Sequence, residues 1–253
     1  MIRIKGRIVL VIVAFAALMA AVPMASAAIC SNASINGVYG IISSGLNGSL
    51  QPATSINRVA VDGAGNATGW ATKSIDGTIV TYTFTGTYQL AKNCTGTATW
   101  INQDNDTEHD DLVLNNGNKG GFLIQTDANH VQSSVAVAQG KVTCTNLGVK
   151  HTYSMELTGT VTSVGQVAMG GQLALNGKGA VTGTATLSLN GSIVNAAAVT
   201  GTYQINSDCT GTAQITPQGL PAINLSVLVV NGGKEMIAVE TDANTIVSGT
   251  LQE

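Results

Sequence analysis

Residues 85–98 read TGTYQLAKNCTGTA and residues 200–213 read TGTYQINSDCTGTA, ten of fourteen positions being identical at an offset of 115. The correspondence runs through the chain. Cys30 matches Cys144, Tyr39 matches Tyr153 and Cys94 matches Cys209. VAVDGAGNATG from Val59 matches LALNGKGAVTG from Leu173, and IDGTIV from Ile75 matches LNGSIV from Leu189. IQTDANHVQSSV from Ile124 matches VETDANTIVSGT from Val239. One single-residue slip, between Val80 and Phe84, reconciles all of these blocks. The chain is therefore one unit written twice, over 29–140 and 141–253. Solenoids use shorter periods and more copies, whereas a unit this long can enclose its own core.

Within each unit the hydrophobic period is two. In TYTFTGTYQL, Tyr82, Phe84, Tyr88 and Leu90 fall on one face, and the threonines and Gln89 fall on the other. That is the pattern of a half-buried strand. The second copy repeats it with Val199, Tyr203 and Ile205 inward. Turn signals recur at short intervals (DGAGN, IDGT, AKNCTG, NNGNK, TDAN), and none of the chain beyond the N-terminal segment shows a capped helical period. The first unit holds eight predicted strands, at 36–44, 55–62, 67–75, 79–90, 95–101, 110–115, 120–126 and 130–137, and the second unit the same eight. Eight antiparallel strands joined by short turns predict an all-β chain of two tandem up-and-down barrels, since closure removes exposed edges. Gly86 and Gly201 lie on the inward face of the longest strand, where closure needs a bend. Tyr88 and Tyr203 are the predicted core anchors. The alternative is two β-sandwich domains, but Tyr88 lies six residues before Cys94, not the two of a tyrosine corner. A single sixteen-stranded membrane barrel would need aromatic girdles, for which nine aromatic residues after the N-terminal segment are too few.

The N-terminus reads as an export signal. Arg3, Lys5 and Arg7 precede a fifteen-residue apolar run, then Pro23 and the small residues Ala25–Ala27. Residues 1–27 are predicted to be a cleaved signal peptide, placing the protein in the periplasm or outside the cell, with no membrane span after cleavage. Four cysteines in an exported chain predict two disulfides. Similar spacing in the two copies favours Cys30 with Cys94 and Cys144 with Cys209, pairing across the units being the alternative. Each bridge is expected to tie the first strand of a unit to the corner entering the fifth. Without the signal's three basic groups, 8 Lys and Arg face 14 Asp and Glu, a net −6. That argues against nucleic acid and anionic lipid as partners.

The GTY-x(5)-CTGTA block, the DGAGNATG hairpin and the TDANTIVSG ending resemble those of exported bacterial two-repeat proteins of unknown function, whose units are similar to calycin-like or allene-oxide-cyclase-like barrels. The resemblance covers both copies. Its motifs are turns and strands, so it implies a scaffold and assigns no catalytic residue.

Few residues point to chemistry. His109, His130 and His151 have no counterparts in the other copy, and no G-x-S-x-G elbow occurs. DNDTEHDD, 104–111, offers Asp104, Asp106 and Glu108 as weak metal candidates, but it lacks the glycine and closing glutamate of a calcium loop. It reads as a solvated hairpin tip. Asp127 and Asp242 recur in TDAN and read as Asx-turns. Trp70 and Trp100 belong to the first unit alone and are either wall packing or ligand contacts. The expected function is a non-catalytic exported protein that binds a small apolar ligand in a barrel mouth. The alternatives are a structural or adhesive surface protein meeting a glycan and, last, an isomerase- or cyclase-type enzyme. No cofactor is expected.

Overall fold

The computed structural model describes residues 29–115 and 119–253; the predicted signal peptide lies outside them. Sixteen strands follow in order. The first eight are β1 (Gly37–Leu46), β2 (Pro52–Val61), β3 (Asn66–Ile75), β4 (Thr78–Leu90), β5 (Thr95–Asn102), β6 (Thr107–Leu114), β7 (Gly120–Gln125) and β8 (Val131–Ala138). The second eight are β9 (Thr152–Val161), β10 (Gly165–Leu175), β11 (Ala180–Leu189), β12 (Ser192–Ile205), β13 (Thr210–Pro217), β14 (Ile223–Val230), β15 (Glu235–Glu240) and β16 (Thr245–Gln252). Each set closes on itself as an antiparallel barrel. Ser43 on β1 lies opposite Ser134 on β8, and Leu157 on β9 opposite Gly249 on β16. Closure excludes the sandwich alternative, whose two sheets would leave first and last strands as edges. β6 starts at Thr107, ahead of its predicted start, so Glu108 belongs to the strand rather than to the hairpin tip.

The alternation read from the sequence sets the two faces. On β4, Tyr88 and Leu90 are buried between exposed Thr87 and Gln89; on β12, Tyr203 and Ile205 repeat this. Gly86 makes room inside for the Trp100 ring, which a Cβ there would strike. The repeat slip is a β-bulge. Ala185 pairs with Ala197 but Leu187 pairs with Val194, leaving β12 one residue longer than β4 where Ala196 takes φ 48°.

One end of each barrel is plugged by the segment ahead of its first strand. In the first barrel a 3₁₀ turn (Asn32–Ser34) and Ile35 cover the floor, and in the second a 3₁₀ turn (Leu147–Val149) does so. Asn32 Oδ1 accepts from Leu90 N at 2.8 Å, and Asn146 Oδ1 accepts from Ile205 N at 2.8 Å. The Tyr203 hydroxyl donates to Asn146 O at 3.0 Å, and Tyr88 reaches Asn32 O and Ile35 O at 3.4 Å. The disulfides Cys30–Cys94 and Cys144–Cys209 bind each plug to the turn between the fourth and fifth strands of its barrel. Cys30 and Cys144 thus precede the plugs rather than sit on first strands. Tyr and Cys recur together because each barrel floor is built from them.

The barrels pack wall to wall. The outer faces of β1–β3 meet β14–β16: Ile56 is fully buried there, and bare Gly40 faces Leu228, Val230 and Ile237. Thr54 Oγ1 donates to Ser248 Oγ at 2.6 Å, and the Ser74 hydroxyl donates to the Thr245 carbonyl.

Candidate functional site

The two barrels share a backbone plan and differ inside. The first holds a cavity of ≈ 660 Å³. Ile41 and Leu123 of the first barrel's apolar cluster line it, and that cluster continues through Val59, Tyr88, Leu90 and Ala98. Its rim is formed by Asn47, Gly48 and Ser49 of the β1–β2 loop, Gln103, Asp104 and Asp106 of the β5–β6 turn, and His130. The second barrel is packed solid, with a void of only ≈ 20 Å³ among side chains such as Leu173, Ile215, Leu225 and Met236. That is about one water, with too few polar partners to hold it.

A polar belt surrounds the cavity because every strand contributes inward hydrogen-bonding groups. These are Ser43 from β1, Ser55 and Asn57 from β2, Lys73 from β3 and Tyr82 from β4. Trp100 and Asn102 come from β5, Glu108 and Asp110 from β6, Gln125 from β7, and Gln132 and Ser134 from β8. At matching positions the second barrel has Leu157 for Ser43, Met169 for Ser55, Leu187 for Lys73, Ile215 for Trp100, Leu225 for Asp110 and Val247 for Gln132. All six replacements are buried. Strand register confirms the equivalence: Ser43 lies opposite Ser55 as Leu157 lies opposite Met169. Burying polar groups costs stability unless they are bonded, and the second barrel closes without these six. The belt is therefore not a requirement of the fold.

Part of the belt is internally satisfied. Trp100 Nε1 donates to Asp110 Oδ2 at 2.7 Å, and Ser134 Oγ donates to Ser43 Oγ at 2.8 Å. Among the described residues, two deeply buried atoms have no partner: Gln125 Oε1 and Gln132 Nε2. Burial raises the Asp110 carboxyl to about 7, with Glu108 adding to the rise and the Trp100 bond opposing it. Burial, with Glu108 and Asp106, raises the Tyr82 phenol to about 12, so it stays a donor. Phe84 meets Trp100 edge-on at 5.6 Å and Tyr82 at 6.4 Å, giving β4 and β5 an aromatic wall.

The predicted site residues divide. Trp100 lines the cavity, whereas Trp70 points outward into an open groove beside the second barrel, where Arg58 Nε donates to Asp208 O at 2.8 Å. The acidic stretch is not one solvated tip. Asp104 and Asp106 sit at the rim in a turn organised by Asn102 Oδ1, which accepts both their backbone N–H groups at 2.9 Å, while Glu108 and Asp110 point inward. Among the described residues, no three His, Cys, Asp or Glu side chains are grouped to hold a metal ion. The TDAN aspartates are not Asx-turns. Asp127 accepts from His109 N and Nδ1 at 2.8 Å, and Asp242 accepts from Asn224 N at 2.8 Å, each reaching eighteen residues back to latch a neighbouring strand. The sequence reading missed Ser43, Ser55, Lys73, Asp110, Gln125 and Gln132. A comparison of inward positions between the two copies carries the signal.

No protein family and no curated protein matches the chain. Two solved structures are similar to it. Kievitone hydratase from Nectria haematococca aligns at 9% identity and TM-score 0.31, covering 90% of this chain and 93% of its own. Aeromonas veronii immune modulator A aligns at 8% identity and TM-score 0.27, covering 86% of this chain and 94% of its own. Among the described residues no helix is long and apolar enough to cross a membrane.

Proposed function

We propose that the protein is an exported small-molecule-binding protein whose site is the cavity of the first barrel, the second barrel serving as a solid support. The observation that carries this reading is the one-sided polar belt: one copy of a duplicated scaffold keeps a lined space of ≈ 660 Å³ and the other fills it. That volume falls in the range of small-ligand sites. The ligand would need hydrogen-bonding groups as well as an apolar body, because the walls offer both. Two disulfides and the N-terminal signal pattern support export. The test is a fragment panel screened by native mass spectrometry against the full chain. A variant carrying the second barrel's residues (Ser43→Leu, Ser55→Met, Asp110→Leu) is the control. One-to-one binding that the filled variant loses while remaining folded is the expected result; a chain that takes up no fragment, or a filled variant that binds equally, contradicts it.

A second reading, adhesion to a surface glycan, is favoured by the outer groove that Trp70, Arg58 and several threonines line. It predicts glycan-array binding that survives filling of the cavity and is lost in Trp70→Ala.

A further inference from the structure

We infer that the first barrel's cavity takes a small organic cation, a primary amine that also carries a hydrogen-bond acceptor, held between the aromatic wall of β4–β5 and the acids of β6. This rests on the cavity being a binding site and adds the class of its ligand.

Charge comes first. Asp104, Asp106, Glu108 and Asp110 all line the space, and Lys73 is the one lysine or arginine among the described residues that line it. The excess of carboxylates repels anions and draws cations, the more so where protein replaces water. Shape comes second. Tyr82, Phe84 and Trp100 present a run of rings beside those acids, and an ammonium group over an aromatic face is stabilised once desolvated.

Gln125 and Gln132 are both more than nine-tenths buried and line the cavity. Gln125 Nε2 donates to Asp127 Oδ2 at 3.2 Å, which leaves Oε1 as an acceptor without a donor. Gln132 Nε2 is a donor without an acceptor. Unmet buried groups are costly and rare. An ammonium N–H would satisfy Oε1, and a ligand hydroxyl or carbonyl would satisfy Nε2. An apolar ligand would satisfy neither.

Three compounds sharing a 4-hydroxyphenyl ring separate the alternatives in calorimetric titration of the full chain: tyramine (ammonium), tyrosol (hydroxyl) and 4-hydroxyphenylacetate (carboxylate). Tyramine is expected to bind at least about tenfold more tightly than tyrosol, with the carboxylate weakest. Glu108→Gln should lower tyramine affinity about tenfold and leave tyrosol unchanged, which also shows that the variant is folded. Tyramine affinity should fall severalfold from pH 8 to pH 5.5, as Asp110 takes up a proton and loses its charge. Glu108 on the same strand, Trp100 from β5, Lys73 from β3 and Asp127 beyond β7 are the groups that act on Asp110. Tyrosol or 4-hydroxyphenylacetate binding as tightly as tyramine would overturn the inference and leave the cavity a binding site. So would failure of all three compounds while other fragments bind. Only failure of every fragment would remove the site itself.

Discussion

Asp110 has the most consequence of any side chain in the cavity. Its carboxyl titrates near 3.8 in an unfolded chain and is raised to about 7 in the fold, chiefly by burial. Between those values the folded state binds the proton more tightly, so the contribution to stability is complete below about pH 4 and is lost as pH rises to about 7. Glu240, which stands in the second barrel where Gln125 stands in the first, moves the same way, from 4.5 to about 7 through burial and the neighbouring Asp242. Calorimetric melting temperatures should therefore fall between pH 4 and pH 7. Asp110→Asn should flatten part of that slope, and adding Glu240→Gln most of the rest; an unchanged slope in the double variant contradicts this assignment. At this scale little of the site could be read in advance. Period-two alternation says that Asp110 and Ser43 face inward, but an inward polar residue in a single copy looks like noise. Only its pairing with Leu225 or Leu157 marks it as a difference between copies.

Strands and turns were far more legible. Alternation and turn residues located all eight strands of each unit, because closure gives successive residues of a strand opposite surroundings, inside the barrel and outside it. The slip in the repeat alignment was a structural signal too, since an extra residue in a ladder has to bulge. Ala196 occupies that bulge at φ 48°, a region that costs a residue with a Cβ about 1 kcal/mol or more. Ala196→Gly should raise stability by about 0.5–1 kcal/mol in urea denaturation, and Ala196→Val should lower it. The plugs were not foreseen, because three-residue 3₁₀ turns have no periodicity to detect. Their staples are strong: each disulfide closes a separation of 64 or 65 residues, for which loop entropy gives about 4 kcal/mol. Replacing Cys30 and Cys94 together by Ser should cost about that much, read from the shift in denaturation midpoint.

For the whole molecule, the two copies of the unit differ in their interiors. The second barrel fills its interior and lends its β14–β16 wall to the first; the first keeps its interior open. Ile56 carries the seam between them, being fully buried on the outer face of β2. Ile56→Ala should cost about 2–4 kcal/mol and be felt in the unfolding of both barrels. The filled variant should melt higher than the native chain, since apolar packing replaces a buried polar set. Hollow against solid is tested most directly by NMR titration with a bound fragment, following the Trp100 indole N–H and the methyls of Met155 and Met169, which point into the second barrel's core. Trp100 alone should shift, saturably, with both methionines still; movement of the methionine methyls with Trp100 unchanged would contradict a hollow first barrel beside a solid second one.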